Sequence, residues 1–239
     1  MINLLRILTS FFILLSACSH STSNQEPVNN PVDNKGKKRI LLLGASIGRN
    51  WNIPSLPERI TNHDYIFEYV DGGAFDKSAK LMEILARQED KPDAVFLKEC
   101  AAYFPGDIKH YQSLMKQWVE ACRKANVIPI PTTVVPVTRW HFLKKFAVDI
   151  VKLRNPFRLG SPLKANRQLA IQAYNDWIRS FCAQNDLLML DLEKTVRISE
   201  KNRYLRSDLA TVDGLHLNQK GYQLLDQIVI PTIEKVNWK

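Results

Sequence analysis

Two short segments far apart in the chain carry the residues best suited to covalent chemistry. Gly44-Ala45-Ser46-Ile47-Gly48 follows directly on an apolar run, and Asp213-Gly214-Leu215-His216 lies near the C-terminus. Together they supply a hydroxyl, an imidazole and a carboxylate. A serine hydroxyl is a weak nucleophile by itself; an imidazole that takes its proton, and a carboxylate that orients the ring, make it able to receive an acyl group. Ser46 is then the candidate nucleophile. His216 is the base that takes the proton and returns it to a leaving alcohol, and Asp213 holds the ring. Glycines on both sides of Ser46 allow a sharp strand-to-helix turn, which exposes the hydroxyl and aims helix N-terminal amides at a developing oxyanion.

Each segment alone has an ordinary reading, as a helix N-cap serine or as a surface histidine ahead of a helix. Order and spacing are more specific. In the nucleophile elbow of α/β-hydrolases the serine follows several strands, with acid and histidine on separate loops. Here the serine follows the first strand, acid and base lie three residues apart, and Asn218-Gln219-Lys220-Gly221-Tyr222 leads into a last helix. This arrangement resembles the SGNH hydrolases, also called the GDSL esterase/lipase family, over about residues 38–237.

The resemblance implies a serine ester hydrolase that works through an acyl-enzyme with Ser46, Asp213 and His216 as catalytic residues and without a cofactor. It also implies an oxyanion hole built from the Ser46 backbone N–H, a glycine after the second strand and an asparagine after the third. Asp71-Gly72-Gly73-Ala74 offers the backbone donor, with Gly73 the foremost choice. The chain departs from the pattern twice. Ala45 stands where the family has aspartate, and Lys98-Glu99-Cys100-Ala101-Ala102-Tyr103 replaces the expected Gly-x-Asn-Asp. Loss of one oxyanion donor typically costs about 2.7–4 kcal/mol of transition-state stabilisation, so either a group near Cys100 substitutes or turnover is low. Cys100 has no histidine placed by sequence to activate it and reads as a turn thiol near the pocket. The expected substrate is an O-acetyl or other carbohydrate ester of the cell envelope. A lysophospholipid or other acyl ester is the alternative, as is a non-catalytic glycan-binding protein on the same fold.

The elements that must position these residues are legible as alternation. Apolar runs at Arg39–Leu43, Tyr65–Val70, Ala94–Leu97, Val127–Pro131 and Leu187–Leu190 read as strands. Helical patterns cover about Lys77–Arg87, Asp107–Ala125, Leu163–Gln184 and Asn218–Lys235. Such alternation predicts a three-layer α/β/α fold with a central, mostly parallel five-stranded sheet of the flavodoxin-like kind. Ser46 then falls beyond the carboxyl end of the first strand, where ligands bind in open α/β sheets. In the third helical stretch, before the fifth strand, Leu169, Tyr174, Trp177, Ile178 and Phe181 recur at helical spacing and read as core. The stretch from Pro136 to Pro162 is longer than most connections. There Leu143, Phe146, Ala147, Ile150 and Val151 make an apolar stripe beside Lys144, Lys145, Lys152 and Arg154. It fits a lid or membrane-facing helix near the site, or, as helical stripes usually do, an amphipathic helix packed on the domain.

At 239 residues with 45% apolar content, the chain is sized for one α/β domain. Residues 1–18 stand apart. Met1–Arg6 leads into an apolar stretch, Ile7–Leu15, too short to span a bilayer comfortably, and Leu15-Ser16-Ala17-Cys18 matches a bacterial lipobox. Cys18 is therefore the expected lipidation site, acylated and holding the chain to the membrane. The polar stretch 19–37 forms a tether, and 38–239 the hydrolase domain. Ser19 lacks the aspartate that often signals inner-membrane retention, so the expected location is the bacterial cell envelope, at the outer membrane. Removing Cys18 from the count leaves Cys100, Cys122 and Cys182, an odd number in apolar segments, which predicts buried thiols rather than a disulfide framework. The formal charge of +9 favours anionic partners, yet no nucleic-acid motif is present. The histidines are scattered without ligand spacing, so no metal site is expected.

Overall fold

The first strand runs into the first helix with only Ala45 between them, which sets the geometry of everything that follows. In this computed structural model residues 36–73, 76–100, 108–154 and 167–238 are described, all within the unit Asn34–Lys239. The expected leader, residues 19–35 of the expected tether, the lipidation cysteine Cys18 and the segment 155–166 lie outside the described residues. Four parallel strands form the sheet: β1 (Lys38–Gly44), β2 (Tyr65–Asp71), β3 (Ala94–Leu97) and β4 (Ile128–Pro131), in the order β2-β1-β3-β4. The chain goes to one side of β1 for β2 and to the other for β3 and β4. The strand order therefore reverses beside β1, the topological switch point where α/β sheets leave a crevice.

Residues alternate between the two faces of the sheet. Leu41, Leu43, Val95 and Leu97 join one buried cluster, under α3 (Ser78–Leu85), α4 (Ile108–Lys124) and α6 (Arg167–Gln184). Ile40, Leu42, Ala94 and Phe96 join the other, under α1 (Ser46–Trp51), α2 (Leu56–Ile60), α7 (Leu192–Val196) and α8 (Gln219–Ile233). The expected stripe of α6 is core in the main: Tyr174, Ile178 and Phe181 are buried, and Trp177 packs against the same cluster. Cys100, Cys122 and Cys182 are buried and unpaired, and burial pushes the Cys122 and Cys182 thiols up to about 12.

The expected fifth strand is reduced to a single parallel bridge between Thr132 and Leu190. Prolines in β4 supply the reason. The N–H groups of Ile128 and Thr132 point to the β3 side, bonding Asp93 O (2.9 Å) and Leu97 O (3.0 Å). Alternation sends those of residues 129, 131 and 133 to the outer edge, where Pro129 and Pro131 have none to give. What remains is Leu190 N–H to Pro131 O (3.0 Å) and Thr133 N–H to Leu190 O (3.2 Å).

The long connection after β4 contains α5 (Arg139–Val151), capped by Thr138, whose side chain accepts from the His141 N–H. Its apolar stripe divides. Phe142 packs against Phe146 and Tyr204, with ring centroids 5.8 and 5.6 Å away, whereas Leu143, Ile150 and Val151 are exposed. Packing on the domain therefore accounts for only part of the stripe. No helix among the described residues is long and apolar enough to cross a membrane.

Candidate active site

Ser46 is the first residue of α1, so its backbone N–H has no intrahelical partner. Two features fix the turn. Tyr69 on β2 donates its hydroxyl to Ala45 O at 3.1 Å. At Gly48 a Cβ would sit 2.8 Å from the Tyr69 ring, so only glycine lets α1 lie this close to β2. Ile47 and Trp51 are buried in the core, which leaves the first turn of α1 no freedom to rotate the serine away.

His216 and Asp213 arrive on the loop before α8. Asn218 caps that helix by accepting from Gly221 N–H at 3.0 Å, and its amide donates to Asp208 O at 2.9 Å, tying the loop to the start of the helix. Trp51 at the end of α1 donates to Asp226 of α8 (2.7 Å), and Arg59 of α2 pairs with the same carboxylate (2.8 Å). The helix that carries the serine and the helix that follows the histidine are thus clamped together.

The sequence-predicted triad assembles. Ser46 Oγ lies 3.1 Å from His216 Nε2, and His216 Nδ1 lies 2.6 Å from Asp213 Oδ2. The carboxylate favours the proton on Nδ1, which leaves Nε2 as an acceptor for the serine hydroxyl. Asp213 Oδ1 accepts from Thr211 Oγ1 (2.7 Å), Leu215 N–H (2.8 Å) and His216 N–H (3.0 Å). Burial alone would raise the Asp213 carboxyl, but the His216 ring and these donors outweigh it and hold the group well below the usual carboxylate range.

The oxyanion donors are less complete. Gly72 N–H is committed to Gly44 O (2.7 Å), and Gly73 N–H, the expected donor, bonds Asp71 Oδ1 at 2.8 Å. Asp71 is itself paired with Arg49 of α1, so an oxyanion at Gly73 would have to displace a held carboxylate. After β3, Cys100 is buried with Sγ 4.0 Å from Ser46 Oγ. Residues 101–107, where a third donor was sought, lie outside the described residues.

Beneath Cys100 is a buried charge cluster that the sequence reading did not identify. Lys77 Nζ pairs with Glu99 Oε2 at 2.9 Å, both side chains fully buried, and lies over the Trp118 ring at 5.4 Å. Lys98 Nζ donates to Glu99 O at 3.0 Å. Burial pushes the Lys98 ammonium down and the Glu99 carboxyl up.

A second histidine was also missed as part of the site. His141 Nδ1 lies 2.8 Å from Asp213 O; a carbonyl only accepts, so Nδ1 carries the proton. Burial lowers the proton affinity of His141, the bond to the Asp213 carbonyl offsets part of this, and Arg167 and Lys145 add to the lowering, so the net displacement is downward. Thr138 N–H donates to Gly214 O at 2.9 Å. Gly214 has φ +67°, and a Cβ there would meet Thr138 Oγ1 at 2.3 Å, so the loop can pack on α5 only with glycine at this point. The spacing of Thr138 and His141 signals a helix start, but nothing local to that spacing shows that the helix docks on the catalytic loop. Among the described residues no group of histidine, cysteine and carboxylate side chains is placed to hold a metal ion.

This fold is that of the GDSL/SGNH hydrolases. A GDSL-like lipase from Bacteroides thetaiotaomicron superposes with a TM-score of 0.60 at 19% identity, over 83% of this chain and 88% of its own. A member of the lipolytic G-D-S-L family from Veillonella parvula gives 0.56 at 13% over 83% and 100%. The psychrotrophic esterase EstA from a Pseudoalteromonas species gives 0.54 at 14% over 83% and 98%. No protein-family model matches the sequence, nor does any curated protein.

Proposed function

We propose that this chain is a serine ester hydrolase, carried on the cell envelope through Cys18, that removes an O-acetyl or related acyl group from envelope carbohydrate. The observation that carries the ester chemistry is the continuous Ser46–His216–Asp213 relay, with contacts of 3.1 and 2.6 Å. In the proposed reaction Ser46 Oγ attacks the ester carbonyl as its proton passes to His216 Nε2. The resulting imidazolium is stabilised by Asp213, whose carboxyl stays ionised far into acid. Collapse of the tetrahedral intermediate breaks the acyl–oxygen bond, and His216 gives the proton to the departing alcohol. Water then repeats the sequence on the acyl-enzyme, releasing the acid and restoring Ser46. The carbohydrate assignment rests on the lipobox, since an anchored envelope enzyme meets glycan esters.

A longer acyl ester of the lysophospholipid class is the second reading. It is favoured by the exposed apolar side chains of α5, whose first turn packs on the catalytic loop. Labelling with a fluorophosphonate tests the shared chemistry: covalent modification of wild type, absent in Ser46→Ala, is expected, and a wild type that stays unlabelled overturns it. Turnover of acetylated sugars against long-chain esters then separates the two substrates.

A further inference from the structure

Helix α5 presents an apolar arc to solvent. At about 100° per residue, Ile150, Leu143, Ala147, Trp140 and Val151 share one arc, and all are exposed, Trp140 by 71% and Val151 by 81%. The side that packs inward carries His141, Phe142, Lys145, Phe146 and Asp149. Apolar arcs on packed helices ordinarily face the core; here Phe142 and Phe146 do so, and the wider arc from Ile150 to Val151 faces solvent. The end of the helix extends it. Arg154 N–H bonds Asp149 O (2.8 Å) and Leu153 N–H bonds Ile150 O (2.9 Å), the closure in which glycine is the usual left-handed residue. Leu153 occupies that position at φ 54°, with its side chain 97% exposed. A leucine there accepts steric strain that glycine would avoid and places one more large apolar group in solvent.

We infer that this face of α5, from Trp140 to Leu153, docks on an anionic phospholipid bilayer. Charge selects that occupant. Arg139, Lys144, Lys152 and Arg154 are exposed around the apolar arc, while the only acid of the helix, Asp149, is buried. Tryptophan and aliphatic side chains on one face with flanking lysines form the composition of helices that lie in the membrane interface, where lysine stems run along apolar surface and their ammonium groups meet headgroup phosphates. Pairing with a second copy through the same face would bring these cations together. Because Thr138 and His141 tie the first turn of α5 to Gly214 and Asp213, a docked α5 holds the triad beside the lipid surface. Docking does not depend on the ester-hydrolase reading; only the delivery of lipid esters to Ser46 does, so binding is measured without substrate.

The test uses the full chain with Cys18→Ser, so that no acyl anchor contributes, and Val151→Cys carrying an environment-sensitive fluorophore. Cys100, Cys122 and Cys182 are buried. Vesicles of equal phosphatidylglycerol and phosphatidylcholine should shift the emission to the blue. Partition into pure phosphatidylcholine should be weaker by on the order of tenfold, as should partition of Lys144→Glu/Lys152→Glu into the anionic vesicles. Leu153→Gly should weaken partition several-fold while melting at an equal or higher temperature, an outcome that a purely structural role for Leu153 would not give. Unchanged emission with anionic vesicles overturns the inference. So does a blue-shifted spectrum without vesicles, whether it grows with protein concentration, which marks a second copy, or does not, which marks cover by the chain itself.

Discussion

At the scale of residues, the site is organised around one acceptor. Asp213 takes four hydrogen bonds, three on Oδ1 and one on Oδ2 from the His216 ring, so its charge and direction are fixed before substrate arrives. Members of such a relay act as a unit. His216→Ala should therefore lose nearly as much activity as Ser46→Ala, with the double variant little worse; independent, additive losses measured by kcat/KM would contradict a shared proton transfer. Asp213→Ala should be milder, because the ring survives without its orienting partner. His141 acts one step back, through the Asp213 carbonyl. His141→Phe should leave KM nearly unchanged and lower kcat by roughly 10- to 100-fold, the scale expected for a small misplacement of reacting groups. A loss confined to KM would remove His141 from the positioning role. Ser46, Asp213 and His216 were legible although Ser46 and His216 are 170 positions apart, because each lies in a short motif whose order along the chain resembles that of a known family. His141 was not, because no such motif carries it and its part depends on a contact between residues 72 positions apart.

At the scale of elements, alternation of apolar runs revealed the parallel layers and the position of Ser46 at the switch point. It overstated the fifth strand, because hydrophobic pattern says where a segment is buried while Pro129 and Pro131 decide whether a ladder can form. It also pointed to core for the α5 stripe, since sequence periodicity fixes which residues share a face but not which way that face turns. The short fifth segment is held by side chains instead. Asp191, just after Leu190, pairs with Arg179 of α6 at 2.9 Å, accepts from Thr133 at 2.9 Å and caps α7 through Lys194 N–H at 3.0 Å. Burial raises its carboxyl, yet Arg179 and the other donors bring the net displacement below the ordinary value. A depressed carboxyl contributes stability above its unfolded pKa, about 3.9, and loses it as pH falls through the folded value. Asp191→Asn keeps the cap but not the charge. It should cost about 1–3 kcal/mol at pH 7, with the gap to wild type narrowing below about pH 4. Urea unfolding across that range checks it, and a gap that stays constant with pH would refute the assignment.

At the scale of the whole molecule, the proposal separates attachment from catalysis. Stretch 19–37 has almost no large apolar side chain that could offset chain entropy. Clamps that hold the triad, Trp51–Asp226–Arg59 and Thr138–Gly214, lie far downstream of Cys18. Cys18→Ser should therefore abolish fatty-acid labelling and move the chain out of the membrane fraction or leave it unprocessed, while the melting temperature and the turnover of a small water-soluble acetyl ester stay as in wild type. Residual binding to anionic vesicles through α5 should differ in kind from acyl anchoring. Exposed charges about one Debye length apart are largely screened near 0.1 M salt and more so near 1 M, so raising the salt should release a chain held by Lys144 and Lys152 but not one held by an acyl group. Persistent fatty-acid labelling of the Cys18→Ser chain would refute the attachment point, and a fall in melting temperature would show that the N-terminal stretch is part of the fold rather than a tether to it.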